Sequence, residues 1–207
     1  MRQNPKLTFL RLLAMVALLG LAAAPETAAY RVLYAEQYYR LYHLHFYQYP
    51  DDTMENIFYL ERALQADFAN PLYALARVDT RDQWSQYRTL FKMHVNLKLV
   101  ELYLALGVKY DKQVAYFYNA PWREQNLESL ELAEQTYRVA VGYWEEARSW
   151  AFRLPRLYFN LEEIQLWEDE RARILSGDLD YGRIIDSHLQ RLQRVRREFE
   201  GMDQDTY

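Results

Sequence analysis

Cysteine is missing from the 207 residues, and Gly and Pro number only 6 each. Without Cys there is no disulfide framework, no thiolate-ligated zinc and no iron–sulfur centre. So little Gly and Pro excludes collagen-like and flexible-linker chains. Histidine is nearly as scarce, with 4 residues: His43, His45, His94 and His188. His43 and His45 point to different faces of a helix and no second pair accompanies them at ligand spacing, so no metal site is expected. His94 lies beside an apolar stripe and is expected as a half-buried helix residue. A nucleophile elbow, an HExxH pair, a phosphate-binding glycine loop and a dinucleotide fingerprint are all missing. Asp178-Leu-Asp180-Tyr-Gly182 opens like a calcium loop but lacks the downstream Glu, and reads instead as a cap, by Asp178 or Asp180, on the last helix. Adjacent carboxylates such as Glu162 and Glu163 diverge by about 100° on a helix and cannot work as a facing pair. The expectation is a protein that is not an enzyme and carries no cofactor.

What is present begins with a leader. Arg2, Lys6 and Arg11 precede 13 apolar residues from Leu12 to Ala24, followed by the small-residue stretch Pro25-Glu-Thr-Ala-Ala29. This reads as a signal peptide cleaved near Ala29, because cleavage after Ala24 would leave Pro25 at the new terminus. The apolar run is too short for a permanent membrane span, which needs about 20 residues. Removing residues 1–29 takes away three cations and one anion, moving the net charge from -4 to -6. An acidic exported domain argues against nucleic acid and against docking on anionic lipid, and its stability must come from packing. Residues 30–207 are long enough to bury one self-sufficient core.

Beyond Tyr30 apolar residues recur at spacings of three and four, and alternation never persists. Trp84, Tyr87, Phe91, Val95, Leu99, Leu102 and Leu106 form one stripe; Leu130, Ala133, Tyr137, Ala140, Trp144, Ala147 and Ala151 form another. Breaks at Tyr49–Asp52, Asn70-Pro71, Asp79–Asp82, Gly107, Ala120-Pro121, Pro155 and Ser176–Asp178 predict helices over 30–48, 52–69, 81–106, 126–153, 157–175 and 181–199. The class is all-α, a single domain of antiparallel helix pairs.

Tyr103-x2-Leu106-Gly107-x2-Tyr110 and Ala133-x3-Tyr137-x2-Ala140 have the spacing of the two helices of a tetratricopeptide repeat, in which small residues allow close approach and aromatics fill the space beside them. Tyr110 and Ala133 lie 23 residues apart, about 14 more than in a standard repeat. A weaker echo of the second helix lies in Phe58–Leu64, with Asn56 where the first Ala belongs. On these residues the chain resembles a short, degenerate tetratricopeptide-like array.

The inserted segment, residues 113–126, carries Tyr116, Phe117, Tyr118 and Trp122 around Pro121. Two readings stand: the rings plug a local core, or they line a partner-binding groove with Arg123, Glu124 and Asn126 at its rim. The phrase AYFYNAPWREQNLESLELAEQTYR, within residues 80–150, resembles exported tetratricopeptide-like proteins of spirochaetes, of the family associated with the collar around periplasmic flagella. That resemblance implies periplasmic localisation and a scaffold that binds other envelope or flagellar proteins. The alternative is a small-ligand binder or transporter accessory in which the same aromatics close a pocket.

Of 19 tyrosines, seven lie between Tyr30 and Tyr49. Tyr34, Tyr38 and Tyr42 share a helical face, either packed with hydroxyls at the edge or exposed as an interface. In the last helix Ile185, His188, Leu192, Val195 and Phe199 make a short seam. It reads as a capping helix whose arginines pair with the acidic group Glu162, Glu163, Glu168, Asp169 and Glu170, or as a partner-binding helix.

Overall fold

The computed structural model describes residues 31–111, 120–154, 157 and 159–203. The chain divides into two compact units, Met1–Val32 and Leu33–Tyr207, and the fold below is that of the second. The expected leader, residues 1–29, lies outside the described residues, as does Tyr30. Six α-helices follow: α1 (Ala35–Gln48), α2 (Thr53–Gln65), α3 (Arg81–Tyr110), α4 (Arg123–Arg153), α5 (Gln165–Ser176) and α6 (Tyr181–Glu200). Among the described residues there is no strand, so the all-α class holds.

Local chemistry sets the ends of these helices. Asp52 accepts from Glu55 N–H to start α2, and Thr80 and Gln83 form a capping box at α3. Asp180, of the two candidates, caps α6 through Arg183 N–H. Gly177, with φ at 83°, closes α5 in the left-handed region. Helix α2 stops short of the expected 69 because the next residues bond elsewhere. Ala35 N–H donates to Asp67 O, and Ala69 N–H donates to the Glu36 carboxylate, so segment 66–69 is tied to α1. The helix expected over 157–175 begins only at Gln165, after a short 3-10 turn at Glu162–Ile164.

The expected break at Gly107 is corrected: α3 runs through it to Tyr110. The glycine serves close approach instead. A Cβ on Gly107 would sit 2.3 Å from the ring of Tyr137 on α4, a distance no real contact tolerates. Tyr103 stacks on Tyr143, and Lys92 lies over Trp150, so contact positions rise along α3 as they fall along α4. The two long helices are therefore antiparallel. By the same test α2 runs antiparallel to α3, through Tyr103–Glu61 and Lys109–Thr53, and α6 antiparallel to α4, through Tyr137–His188 and Trp144–Tyr181.

Helix α3 is central. Tyr87, Leu90, Phe91, Met93, Val95, Leu97, Leu99 and Val100 are all buried, which covers most of its middle turns and leaves Arg88, Thr89 and Lys92 toward solvent. The whole stripe on α4, Leu130 to Ala151, is buried against it. Ile185, Leu192 and Phe199 of α6 are buried, with His188 and Val195 half-buried between them. The arginines of α6 do not meet the acidic group expected for them. Arg191 pairs with Asp111, Arg196 with Glu131 and Glu134, and Arg183 with Asp180, because α6 packs on α4. Glu168 and Glu170 instead turn inward to Gln86 and His94.

Gly107→Ala should destabilise the protein by about 1–3 kcal/mol, since the buried Tyr137 ring must give way. Gly142→Ala, exposed on α4 with nothing within 4 Å, should stabilise by about 0.5–1 kcal/mol. Urea unfolding followed by circular dichroism reads both; equal behaviour of the two variants would remove the close-approach explanation.

Candidate functional site

The residues of the repeat-like motif converge on the seam of α2, α3 and α4. Tyr103 and Tyr143 stack with centroids 5.4 Å apart, and both hydroxyls donate to Glu61 Oε1, at 2.7 and 2.8 Å. Burial, reinforced by that carboxylate, pushes both phenols well above their ordinary range. Ala133, Tyr137 and Ala140 are buried, and Leu106 and Tyr110 half-buried. Tyr137 donates at 2.7 Å to Asp111, a fully buried carboxylate that also pairs with Arg191. These residues bind helices to one another.

Of the candidate recognition residues, Tyr116, Phe117 and Tyr118 lie outside the described residues. Trp122 is 43% exposed. Arg123 donates to Glu200 O at 3.0 Å, tying the start of α4 to the end of α6, and Asn126 is buried rather than set at a polar rim. In the tyrosine group, Tyr42 is buried, Tyr38 half-buried and Tyr34 exposed. Tyr39, off that face, is buried and joins a polar cluster. Its hydroxyl lies 2.8 Å from His94 Nε2, whose Nδ1 is 2.5 Å from Glu170 Oε2.

His94 is thus fully buried, not half-buried, and its position was not legible from a single helix. A carboxylate can only accept, so Nδ1 carries the proton and Nε2 accepts from Tyr39 O–H. Trp167 stacks on the imidazole at 5.0 Å, and Lys98 and Glu101 sit beyond Glu170. Burial holds His94 below the ordinary imidazole value against the opposing pull of Glu170. With 2% of His94 and 7% of Glu170 exposed, this Tyr–His–Glu relay pins α1, α3 and α5 together and is closed to a substrate.

The surface offers something different. An open groove of about 860 Å³ runs between segment 64–69, α3 and α4, lined by Phe68, Trp84, Arg88, Thr89, Lys92 and Trp150 among others. Trp84 stacks on buried Tyr87 at 5.2 Å, and Phe68 meets Trp84 edge-on. Three cations lie against these rings. Arg88 is 5.6 Å from Trp84, Lys92 is 4.7 Å from Trp150, and Arg153, at the margin, is 3.6 Å from Trp150. Asp67 also lines the groove, yet among the described residues none of the three cations forms an ion pair. Sequence reading assigned Trp84 to the core stripe and missed the groove. The available signal was Trp84-x3-Arg88-x3-Lys92, one face of α3 displaced from the stripe.

Among the described residues no group of three His, Cys, Asp or Glu could hold a metal ion, and no helix is long and apolar enough to cross a membrane. These features define an all-α protein with buried polar clusters between its helices and an open groove bordered by rings and cations. The chain belongs to the family of the domain of unknown function DUF8513, whose model matches residues 82–202, from the start of α3 to just past α6. No curated protein and no solved structure matches it.

Burial also lowers His43 and His188, the latter with help from Arg191. The fold therefore favours neutral imidazoles. The stability they contribute is present above about pH 6.5 and is lost as pH falls below it toward the folded values. Glu36 and Glu168, raised by burial, favour their protonated forms and oppose this trend nearer pH 4.5. Thermal melts from about pH 7 to about pH 5.5 should show falling stability. His94→Gln should cost about 1–3 kcal/mol at neutral pH and flatten that slope. An unchanged slope would mean that His94 does not titrate across the transition.

Proposed function

We propose that this chain is an exported, non-enzymatic helical scaffold that binds other proteins of the cell envelope, its helix pairs stacked as a short, degenerate tetratricopeptide-like array. The observation that carries the reading is the groove over Trp84 and Trp150, where half-buried rings border an open trough beside cations without an ion pair among the described residues. Such rings beside arginine are the residue types that dominate protein-binding energy. An open trough supports contact with a protein segment better than enclosure of a small ligand. The antiparallel order of α2, α3 and α4, with Gly107 against Tyr137, supports the repeat-like arrangement. The leader-like residues 1–29 support export to the periplasm. The resemblance of the phrase from Ala115 to Arg138 to spirochaete collar proteins extends the proposal to a periplasmic flagellar assembly.

A photo-crosslinking amino acid at Thr89, in the groove, tests the reading in the native envelope. Crosslinked bands identified by mass spectrometry should contain one or a few envelope proteins in reproducible ratio, and the same probe at exposed Glu146 should give none of them. Monomer alone at Thr89, with a small molecule co-purifying, would move the function to ligand binding.

A further inference from the structure

The arrangement of the groove selects a kind of partner. Some exposed arginines elsewhere are matched locally, Arg77 with Asp79, Arg138 with Glu134 and Arg183 with Asp180, and single cations also lie over rings at Arg62–Phe58 and Arg148–Trp144; the groove differs in gathering three cations and three rings along one trough. In the groove Arg88, Lys92 and Arg153 lie on Trp84, Trp150 and Phe68 with Asp67 as the acid lining the same trough. A cation on a ring keeps its outer side free to meet a carboxylate, so each ring and cation pair presents apolar area and positive charge together. This happens on a chain of net charge -4, where local basicity stands against the overall sign.

The dimensions narrow the occupant. Arg88 and Lys92 are one turn apart on α3, about 6 Å along the axis. Side chains two residues apart on an extended strand lie on one face at roughly 6.6 Å, so two carboxylates in an acid-x-acid pattern match the two cations. From Trp84 to Lys92 is about 12 Å, the reach of about four extended residues. A trough of about 860 Å³ exceeds the needs of a single inorganic anion. Nucleic acid would bring a long run of phosphates against a chain that is acidic outside the groove.

Resting on the scaffold reading, we propose that the groove docks an extended acidic segment of a partner protein, with two carboxylates in an acid-x-acid spacing on Arg88 and Lys92. An aromatic or aliphatic side chain beside them packs on Trp84 and Trp150. Arg153 adds charge at the margin.

The test is selection of a random peptide library, about ten residues long, on the full-length protein, repeated on Arg88→Gln/Lys92→Gln. Enriched sequences should carry Asp or Glu two residues apart next to an aromatic or aliphatic residue. The best synthetic peptide should lose about tenfold in affinity both in the double variant and on raising salt from about 50 to about 300 mM. Unchanged circular dichroism and melting show that the variant is folded. Enrichment of neutral or basic sequences, equal binding to the double variant, or displacement of the peptide by equimolar inorganic phosphate would each overturn the assignment. No enrichment at all would do the same. Capture of an envelope protein at Thr89 alongside any of these results leaves the scaffold reading standing, whereas absence of capture there ends that reading independently of the peptide selection.

Discussion

Helix α3 is buried over most of its middle turns, and what packs on it there must answer the polar groups it carries. A buried amide or imidazole without a partner costs more than most single contacts return. Gln86 therefore reaches Phe159 O and Glu168, and His94 takes Tyr39 on one side and Glu170 on the other. Asn96 donates back to Lys92 O in its own helix. The interlocked rings of Tyr39, Phe91 and Trp167 already resist sliding of α1 and α5 along α3. These bonds allow one register, because a slide of one turn would strand several donors and acceptors at once. The same logic holds at the seam with α2 and α4, where Glu61 serves two phenols, and at Asp111, where Tyr137 and Arg191 meet one carboxylate.

How far the sequence revealed this depended on the range of the forces involved. The stripes on α3 and α4, the caps at Asp52, Thr80 and Asp180 and the turn at Gly177 are local, and spacing discloses them. Gly107 was legible as unusual but misread as a break. Its cause is a ring on another helix, 30 positions further along the chain, and periodicity carries no information about what faces a residue. The arginines of α6 were misassigned for the same reason: charge can be counted along a sequence, but α6 lies on α4, so its cations find Asp111, Glu131 and Glu134. His94 and Tyr39 look ordinary on their own helices and acquire meaning only where three helices meet.

The groove illustrates how a surface can be assembled from segments that have separate duties. Trp84 contributes one ring face to Tyr87 and the core while its edge borders the trough. Trp150, half-buried on α4, lies against Lys92 and Arg153. The stretch from Arg81 to Arg153 lies almost wholly in the region matched by the family model, whereas Phe68 comes from the segment before it. The wall given by Phe68 is held in place because segment 66–69 is bonded to α1 through Asp67 O and Glu36. Helices α1 and α2 thus complete a site whose charged side belongs to α3 and α4.

Arg171 ends α4 in an unusual way. Its guanidinium donates to Ala151 O and Leu154 O, 20 and 17 residues back along the chain, and takes the place of the side-chain or glycine cap that most helix C-termini carry nearby. A cation at that end also meets the negative pole of the longest helix among the described residues. The end of α4 is therefore completed by a side chain from the next helix rather than by its own flanking residues, so the two carbonyls depend on the docking of α5 for their partner.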